Sequence, residues 1–254
     1  MKKNKLKQRI TDGKVAYGVI SPTTDPVICE YIGLNNFDYY MIDGEHGGIS
    51  ISDVTNLVRA CELMDCTPLA RIRSVDTKLI LQYMDAGVMG VMMPSIDKVE
   101  DVEKLVEAIK YPPFGKRGLG PVRASDYMQG TMTQKEYVEF ANQETLVLPQ
   151  VESMECVENL EAMCQIDGVD GFIIGPRDLA MSMGYYDGPG HDEVTNMLHQ
   201  IFKIILDNGK FYGTVAGTAD RAQELTTMGA SMILNSVQGL IKGSAKAFLS
   251  KREA

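Results

Sequence analysis

The chain has 254 residues, 44% hydrophobic and 23% charged, and its 34 acidic against 25 basic side chains give a formal net charge of −9. That balance excludes a nucleic-acid or anionic-membrane surface as the main partner, and no stretch approaches the roughly 18 apolar residues of a membrane span. Five cysteines without a C-x-x-C pair indicate free thiols and a cytoplasmic location, and the basic start, residues 2–9, lacks the apolar segment of a signal peptide and reads as a solvated tail.

Beyond that tail, residues 15–21 form a short apolar strand and 25–34 a helix entered through Pro26. Residues 37–43, FDYYMID, are a second strand that opens directly into an acid- and glycine-rich loop, Gly44-Glu45-His46-Gly47-Gly48. Ser50 or Ser52 caps a helix running to about Met64, with Val54, Leu57, Val58 and Cys61 at three- and four-residue spacing. A third strand covers 67–72, a helix 77–85 is closed by Gly87, a strand 88–93 stops at Pro94, and 97–110 is an amphipathic helix. The irregular stretch 111–129, beginning YPPFGKRGLGPVRASDY, is long for a compact domain and reads as a binding loop of the site.

A strand at 145–152, a helix at 154–164 and a strand at 171–175 follow, the last running into Pro176-Arg177-Asp178. A helix at 193–208, a strand at 211–216, a helix at 219–228, a strand at 231–235 and a final helix to about Lys251 complete the chain. About eight strand-then-helix units imply parallel strands joined by crossover helices. They favour closure into a (β/α)8 TIM barrel, near its typical length of about 250 residues, with 1–254 as a single domain.

Active sites of such barrels lie at the carboxyl ends of the strands. The chemistry-bearing residues fall there: Asp43, Glu45 and His46 after strand two, Arg71 and Arg73 at strand three, Gln150 and Glu152 at strand five, and Asp178 after strand six. Glu152 and Asp178, from neighbouring strands, suit a hard divalent cation such as Mg²⁺ or Mn²⁺, although each also reads as a first-turn acid complementing a helix dipole. No lysine occupies a strand end, which argues against a Schiff base. Arg71 can stabilise an oxyanion, and His46 can carry a proton, with Asp43 and Glu45 positioning it. His191 and His199 read as surface or structural residues.

These residues lie in motifs that resemble the HpcH/HpaI family of metal-dependent class II pyruvate aldolases: IDGEH at 42–46, PLAR at 68–71, MDAG-x-x-G at 84–90, YPP-x-G-x-RG at 111–118, QVE at 150–152 and DGVDGFIIGPRDL at 167–179. The resemblance spans about 18–248 and implies a TIM barrel that dimerises, often stacks into hexamers, and exchanges its last helix between subunits. It implies Glu152 and Asp178 as ligands of a divalent metal, Mg²⁺ or Mn²⁺ with Co²⁺ as a further option, that chelates pyruvate. Arg71 falls on the arginine that stabilises the enolate, His46 on the acid/base histidine, and Asp85 on an aspartate paired with that histidine. Gln150 would line the pyruvate pocket, and the backbone at Pro176, Arg177 and Asp178 would hold the carboxylate.

The chain departs from the family pattern in RGLGPVRAS, two residues short before Arg123, and in Gly-Gly-Ile-Ser after His46. Both loops border the aldehyde side, so the acceptor is not carried over. The expected reaction is reversible cleavage of a 4-hydroxy-2-oxo acid, a dicarboxylate or a sugar acid, to pyruvate and an aldehyde. A related lyase acting on a CoA thioester or other enolate is the alternative, against which stands the lack of a basic patch for a nucleotide.

Overall fold

Eight parallel strands follow one another around a closed barrel: β1 (Ala16–Ser21), β2 (Tyr39–Asp43), β3 (Thr67–Arg71), β4 (Gly90–Met93), β5 (Leu146–Val151), β6 (Gly171–Ile174), β7 (Phe211–Val215) and β8 (Met232–Ser236). β8 pairs back onto β1, with Gly18 opposite Leu234, and this closure makes the expected (β/α)8 TIM barrel. The computed structural model describes residues 1–252, so Glu253 and Ala254 of the expected 1–254 domain lie outside the described residues.

Around the strands run α1 (Lys5–Thr11), α2 (Pro26–Leu34), α3 (Ile51–Leu63), α4 (Thr77–Ala86), α5 (Val99–Ile109), α6 (Gln134–Glu144), α7 (Met154–Cys164), α8 (Pro176–Ser182), α9 (Asp192–Asp207), α10 (Ala219–Thr227) and α11 (Val237–Phe248). The strands are buried on both faces, so they read as continuous apolar runs. Met41, Leu69, Met92, Leu148, Ile173 and Met232 fill the barrel interior, while Ile42, Val91, Val147, Phe172 and their neighbours pack outward against the helices. All five cysteines are free and buried. No helix among the described residues is long and apolar enough to cross a membrane.

The amino-terminal segment corrects the sequence reading. Residues 2–9 are not a solvated tail; Asn4 caps α1 by accepting the Lys7 N–H at 3.0 Å, and Leu6 is fully buried with the residues that fill the barrel interior. Lys7 pairs with Asp170 at 2.7 Å and Arg9 with Asp38 at 3.3 Å. The physical reason is complementarity: two carboxylates beside the amino ends of β6 and β2 hold a basic helix whose apolar residues, Leu6 and Ile10, cover the end of the barrel interior.

Besides α1, two helices escaped the sequence reading. α6 is announced by a capping box, in which Thr133 Oγ1 accepts the Glu136 N–H at 3.3 Å and Glu136 accepts the Thr133 N–H at 2.8 Å. α8 is a short helix between Pro176 and Ser182. Ser50, not Ser52, caps α3, through a capping box with Asp53. The stretch 111–129 is also corrected. It contains a 3-10 turn at Arg123–Met128, follows α5 and leads through α6 to β5. It therefore leaves a helix at the amino-terminal face of the barrel, opposite the strand ends that carry the site, and is not a loop of this chain's cavity.

Candidate active site

The second strand delivers its acid beside the arginine of the third. Asp43 lies opposite Arg71 in the β2–β3 register, and the two form a bidentate pair, Arg71 Nε to Asp43 Oδ1 at 3.0 Å and Nη2 to Oδ2 at 2.7 Å. Glu45 Oε2 lies 3.1 Å from Arg71 Nη1, so two carboxylates fix the guanidinium. Asp43 Oδ1 also accepts the N–H groups of Glu45 at 3.3 Å and His46 at 3.2 Å, which winds the loop around one carboxylate. Gly44 is required by close approach: its N–H donates to the Arg71 carbonyl at 2.9 Å, and a Cβ there would fall 2.4 Å from the Tyr83 hydroxyl. Asp43 and Glu45 thus brace Arg71 as well as shaping the turn that presents His46, and Asp43 does not cap the following helix.

Burial works to raise the Asp43 carboxyl, but the hydrogen bonds and charge of Arg71, with the His46 and Glu45 N–H groups, outweigh it and hold the carboxyl below its usual value of 3.8. A carboxyl depressed in the folded state contributes stability that is present above its unfolded pKa and lost as pH falls through the folded value. Asp43→Asn is therefore expected to flatten the acid limb of the stability curve below about pH 4, measured by urea unfolding at stepped pH. An acid limb of unchanged slope would show that the pair contributes nothing to acid stability.

His46 stands at the rim with its side chain 69% exposed and Nε2 3.8 Å from Glu45 Oε2. It is tied to Arg71 through Glu45 and does not line the main cavity. His191 hydrogen-bonds Asp187 at 2.7 Å and stacks on Tyr185, and His199 is exposed on α9, which suits structural and surface roles.

Gln150 on β5 is buried, and Glu152, just past the strand end, is half-buried. Glu152 Oε1 accepts the Ser95 N–H at 2.8 Å, and Oε2 accepts from Gln150 Nε2. Gln150 Oε1 is buried and has no hydrogen-bond partner. Gly175 leaves this corner open, since a Cβ there would lie 2.7 Å from Gln150 Nε2 and 3.2 Å from Glu152 Oε2. Burial, with the charges of Asp178 and Glu45, lifts the Glu152 carboxyl above its usual range, against the Ser95 N–H and Arg71 that pull it down.

Sequence reasoning missed Ser95. It holds a left-handed backbone, φ +53°, which is uncommon for a non-glycine residue and turns its N–H onto Glu152. Its place after Pro94, at the end of β4, was the available signal.

A cavity of about 390 Å³ opens at the strand ends. One side is lined by Arg71, Gln150, Gly175, Pro176, Arg177 and Asp178, and the other by Ile20, Val215, Gly217, Leu234, Asn235 and Ser236. The fold thus gathers Arg71, Gln150, Pro176, Arg177 and Asp178, with Glu152 bonded to Gln150. Asp85 is not among them. It lies in the last turn of α4, toward the amino-terminal face of the barrel, where its carboxylate accepts from Arg117 Nη2 at 2.9 Å. Arg123 is likewise held away from the cavity, by Glu62 and by the Ala86 carbonyl at 3.0 Å.

Among the described residues, no group of three or more His, Cys, Asp and Glu side chains is set to hold a metal ion. Glu152 and Asp178 still fit a hard divalent cation that takes one or two protein carboxylates and fills its remaining positions with water and substrate. The electrostatics fit as well: at this rim the carboxylates of Asp43, Glu45, Glu152 and Asp178 outnumber the guanidinium groups of Arg71, Arg73 and Arg177, and the charges of Asp178 and Glu45 add to burial in lifting the Glu152 carboxyl.

Residues 16–241 match the family model described as HpcH/HpaI aldolase/citrate lyase. The chain is 31% identical over 242 residues to a 2-keto-3-deoxy-L-rhamnonate aldolase of Escherichia coli (strain K12), covering 95% of this chain and 90% of that protein. It is 31% identical over 244 residues to a hydroxypyruvate/pyruvate aldolase of Cupriavidus necator, covering 95% and 89%. The crystal structure of an HpcH/HpaI aldolase from Desulfitobacterium hafniense DCB-2 aligns with a TM-score of 0.90 at 26% identity, over 98% of this chain and 97% of that one. Matched nearly end to end by these aldolases, and with its polar side chains collected where barrel enzymes do their chemistry, the chain belongs to the HpcH/HpaI aldolase/citrate lyase family and is a carbon–carbon lyase.

Proposed function

We propose that the enzyme reversibly cleaves a 4-hydroxy-2-oxo acid to pyruvate and an aldehyde, with a divalent cation, Mg²⁺ or Mn²⁺ with Co²⁺ as a further option, held by Glu152 and Asp178. The observation that carries this reading is Arg71, a permanently charged donor braced by Asp43 and Glu45 and lining the same cavity as Gln150 and Asp178. In the cleavage direction the C3–C4 bond breaks, the 4-hydroxyl loses its proton as the aldehyde carbonyl forms, and the electron pair passes to the C2 oxygen as an enolate. A proton then returns to C3 to give pyruvate.

A pre-fixed guanidinium stabilises the charge that develops on the C2 oxygen without reorganising during the reaction, and it cannot itself act as the base. His46, exposed at the rim beside Glu45, is the side chain suited to pass a proton between substrate and solvent. Gln150 and the backbone from Pro176 to Asp178 fix the pyruvate end. When bound, the cation supplies Lewis acidity toward the oxygens of the oxo acid.

The same reading makes the enzyme a homo-oligomer, a dimer or a dimer-based hexamer in which α11 is exchanged. In support, α11 buries Val237 in its own chain and leaves Ile241 and Phe248 exposed, at 61% and 86%, followed by an exposed Leu249 at 47%. Asp85, at the far face of its own barrel, can serve a His46 only across such an interface.

Pyruvate release from a panel of 4-hydroxy-2-oxo acids, followed with and without Mn²⁺ after removal of metal with EDTA, tests the proposal. The expected result is metal-dependent pyruvate formation from at least one member of the panel. No release from any member, combined with cleavage of a CoA thioester, would replace it by the alternative lyase.

A further inference from the structure

The cavity has two halves of different chemistry. Toward β3, β5 and β6 its wall carries Arg71, Gln150 and Asp178, which take the pyruvate end under the function proposed above, on which this inference rests. Toward β7, β8 and β1 the wall is apolar at Ile20, Val215 and Leu234, then polar at Asn235 and Ser236 where β8 ends. Arg177, in the first turn of α8, lies at the junction, since β6 stands between β5 and β7.

The polar groups of this second half have donors to spare. Asn235 Oδ1 accepts the Ser236 N–H at 2.8 Å, while Asn235 Nδ2 has no acceptor among the described residues. Ser236 Oγ accepts the Gly239 N–H at 2.9 Å, which leaves its own proton to give. Arg177 is exposed and makes no ion pair among the described residues, whereas Arg71, the other arginine of the wall, is held by Asp43 and Glu45. Arg123, near the end of the shortened RGLGPVRAS loop, is committed to Glu62 and the Ala86 carbonyl.

A guanidinium, an amide N–H and a hydroxyl proton, all without acceptors, match a group that only accepts, and a carboxylate is such a group. The hydroxyls of a polyhydroxylated chain also accept, but each brings a donor as well and, being neutral, gains less from the Arg177 charge than a carboxylate does. We propose that Arg177, with Asn235 and Ser236, binds a terminal carboxylate on the aldehyde half of the substrate and so sets the specificity for that half. Ile20, Val215 and Leu234 then contact the methylene groups between the reacting carbon and that carboxylate.

The test compares Mn²⁺-loaded enzyme in condensation of pyruvate with two oxo acids, glyoxylate and 4-oxobutanoate, and with uncharged aldehydes of matching length, glycolaldehyde and butyraldehyde. Wild type is expected to favour the anionic acceptors. In Arg177→Met the ratio of kcat/KM for anionic over neutral acceptors should fall by about ten- to a hundredfold, the range for losing one charged hydrogen-bond pair. Arg177→Lys should recover part of that ratio, and Asn235→Ala should lower it by a smaller factor.

Calorimetric titration with succinate supplies a readout apart from turnover, with binding by wild type and none by Arg177→Met. An unchanged ratio, or equal losses on both classes of acceptor, overturns the assignment. Solvent deuterium uptake into the pyruvate methyl group by wild type separates the two levels. If wild type shows no uptake, the aldolase reading itself fails; if it shows uptake and the acceptor ratio does not move in Arg177→Met, only the role of Arg177 fails.

Discussion

Arg71→Ala is expected to lower kcat/KM for aldol cleavage by about a thousandfold or more and to abolish exchange of the pyruvate methyl protons with solvent. Removing one donor to a developing oxyanion costs roughly a hundred- to a thousandfold in comparable sites. Here the loss should reach the upper end, because Arg71 also balances Asp43, which is only 4% exposed, and Glu45. Without the guanidinium the charge of Glu45 acts on half-buried Glu152 with the offsetting Arg71 charge removed, and the rim becomes hostile to an enolate. Arg71→Lys keeps the charge but loses the bidentate geometry, so it should recover only a small part of the rate.

The two readouts of this experiment are chosen for their difference. Cleavage needs both halves of the substrate, whereas proton exchange needs only pyruvate and the enolate. If Arg71→Ala loses cleavage but keeps exchange, Arg71 serves the aldehyde half and its enolate role is wrong. Thermal unfolding of the variant distinguishes this from collapse of the β2–β3 rim, since a variant that retains a cooperative transition near the wild-type Tm has lost chemistry and not structure.

Much of this site was legible before the structure because barrel topology converts position in sequence into position in space. Residues that follow an apolar run land on the rim, and Asp43, Arg71, Gln150, Glu152 and Asp178 all do. What stayed hidden depended on contacts that no periodicity encodes. The partner of Asp43 and Glu45 is Arg71 at least as much as His46, because β2 and β3 are in register at those residues. Ser95 enters through a backbone N–H, which has no sequence signature beyond its rim position.

The stretch 111–129 shows the opposite failure. Its length suggested a binding loop, although its place after a helix assigns it to the far face of the barrel. Asp38 and Asp170 stand beside strand starts in the sequence, but only the fold makes them anchors for Arg9 and Lys7.

Glu152→Gln is expected to weaken Mn²⁺ binding by at least about a hundredfold, measured by titration calorimetry, and to remove the response of activity to EDTA. The amide can keep the Ser95 N–H bond through its oxygen, so the corner should stay folded while its charge disappears. That makes the variant informative in a second way. The Glu152 carboxyl is raised by burial and by Asp178 and Glu45, so in the metal-free protein it contributes stability at low pH that is lost as pH rises through its folded pKa. Metal-free Glu152→Gln should therefore lose less stability than wild type over that pH interval and unfold at a higher Tm at neutral pH, while the rise in Tm that Mn²⁺ gives wild type disappears. A variant that still binds Mn²⁺ with wild-type affinity would remove Glu152 from the ligand set. A variant that loses metal but gains no stability would show that the carboxylate excess at this rim is relieved by solvent, leaving the cation no electrostatic deficit to fill.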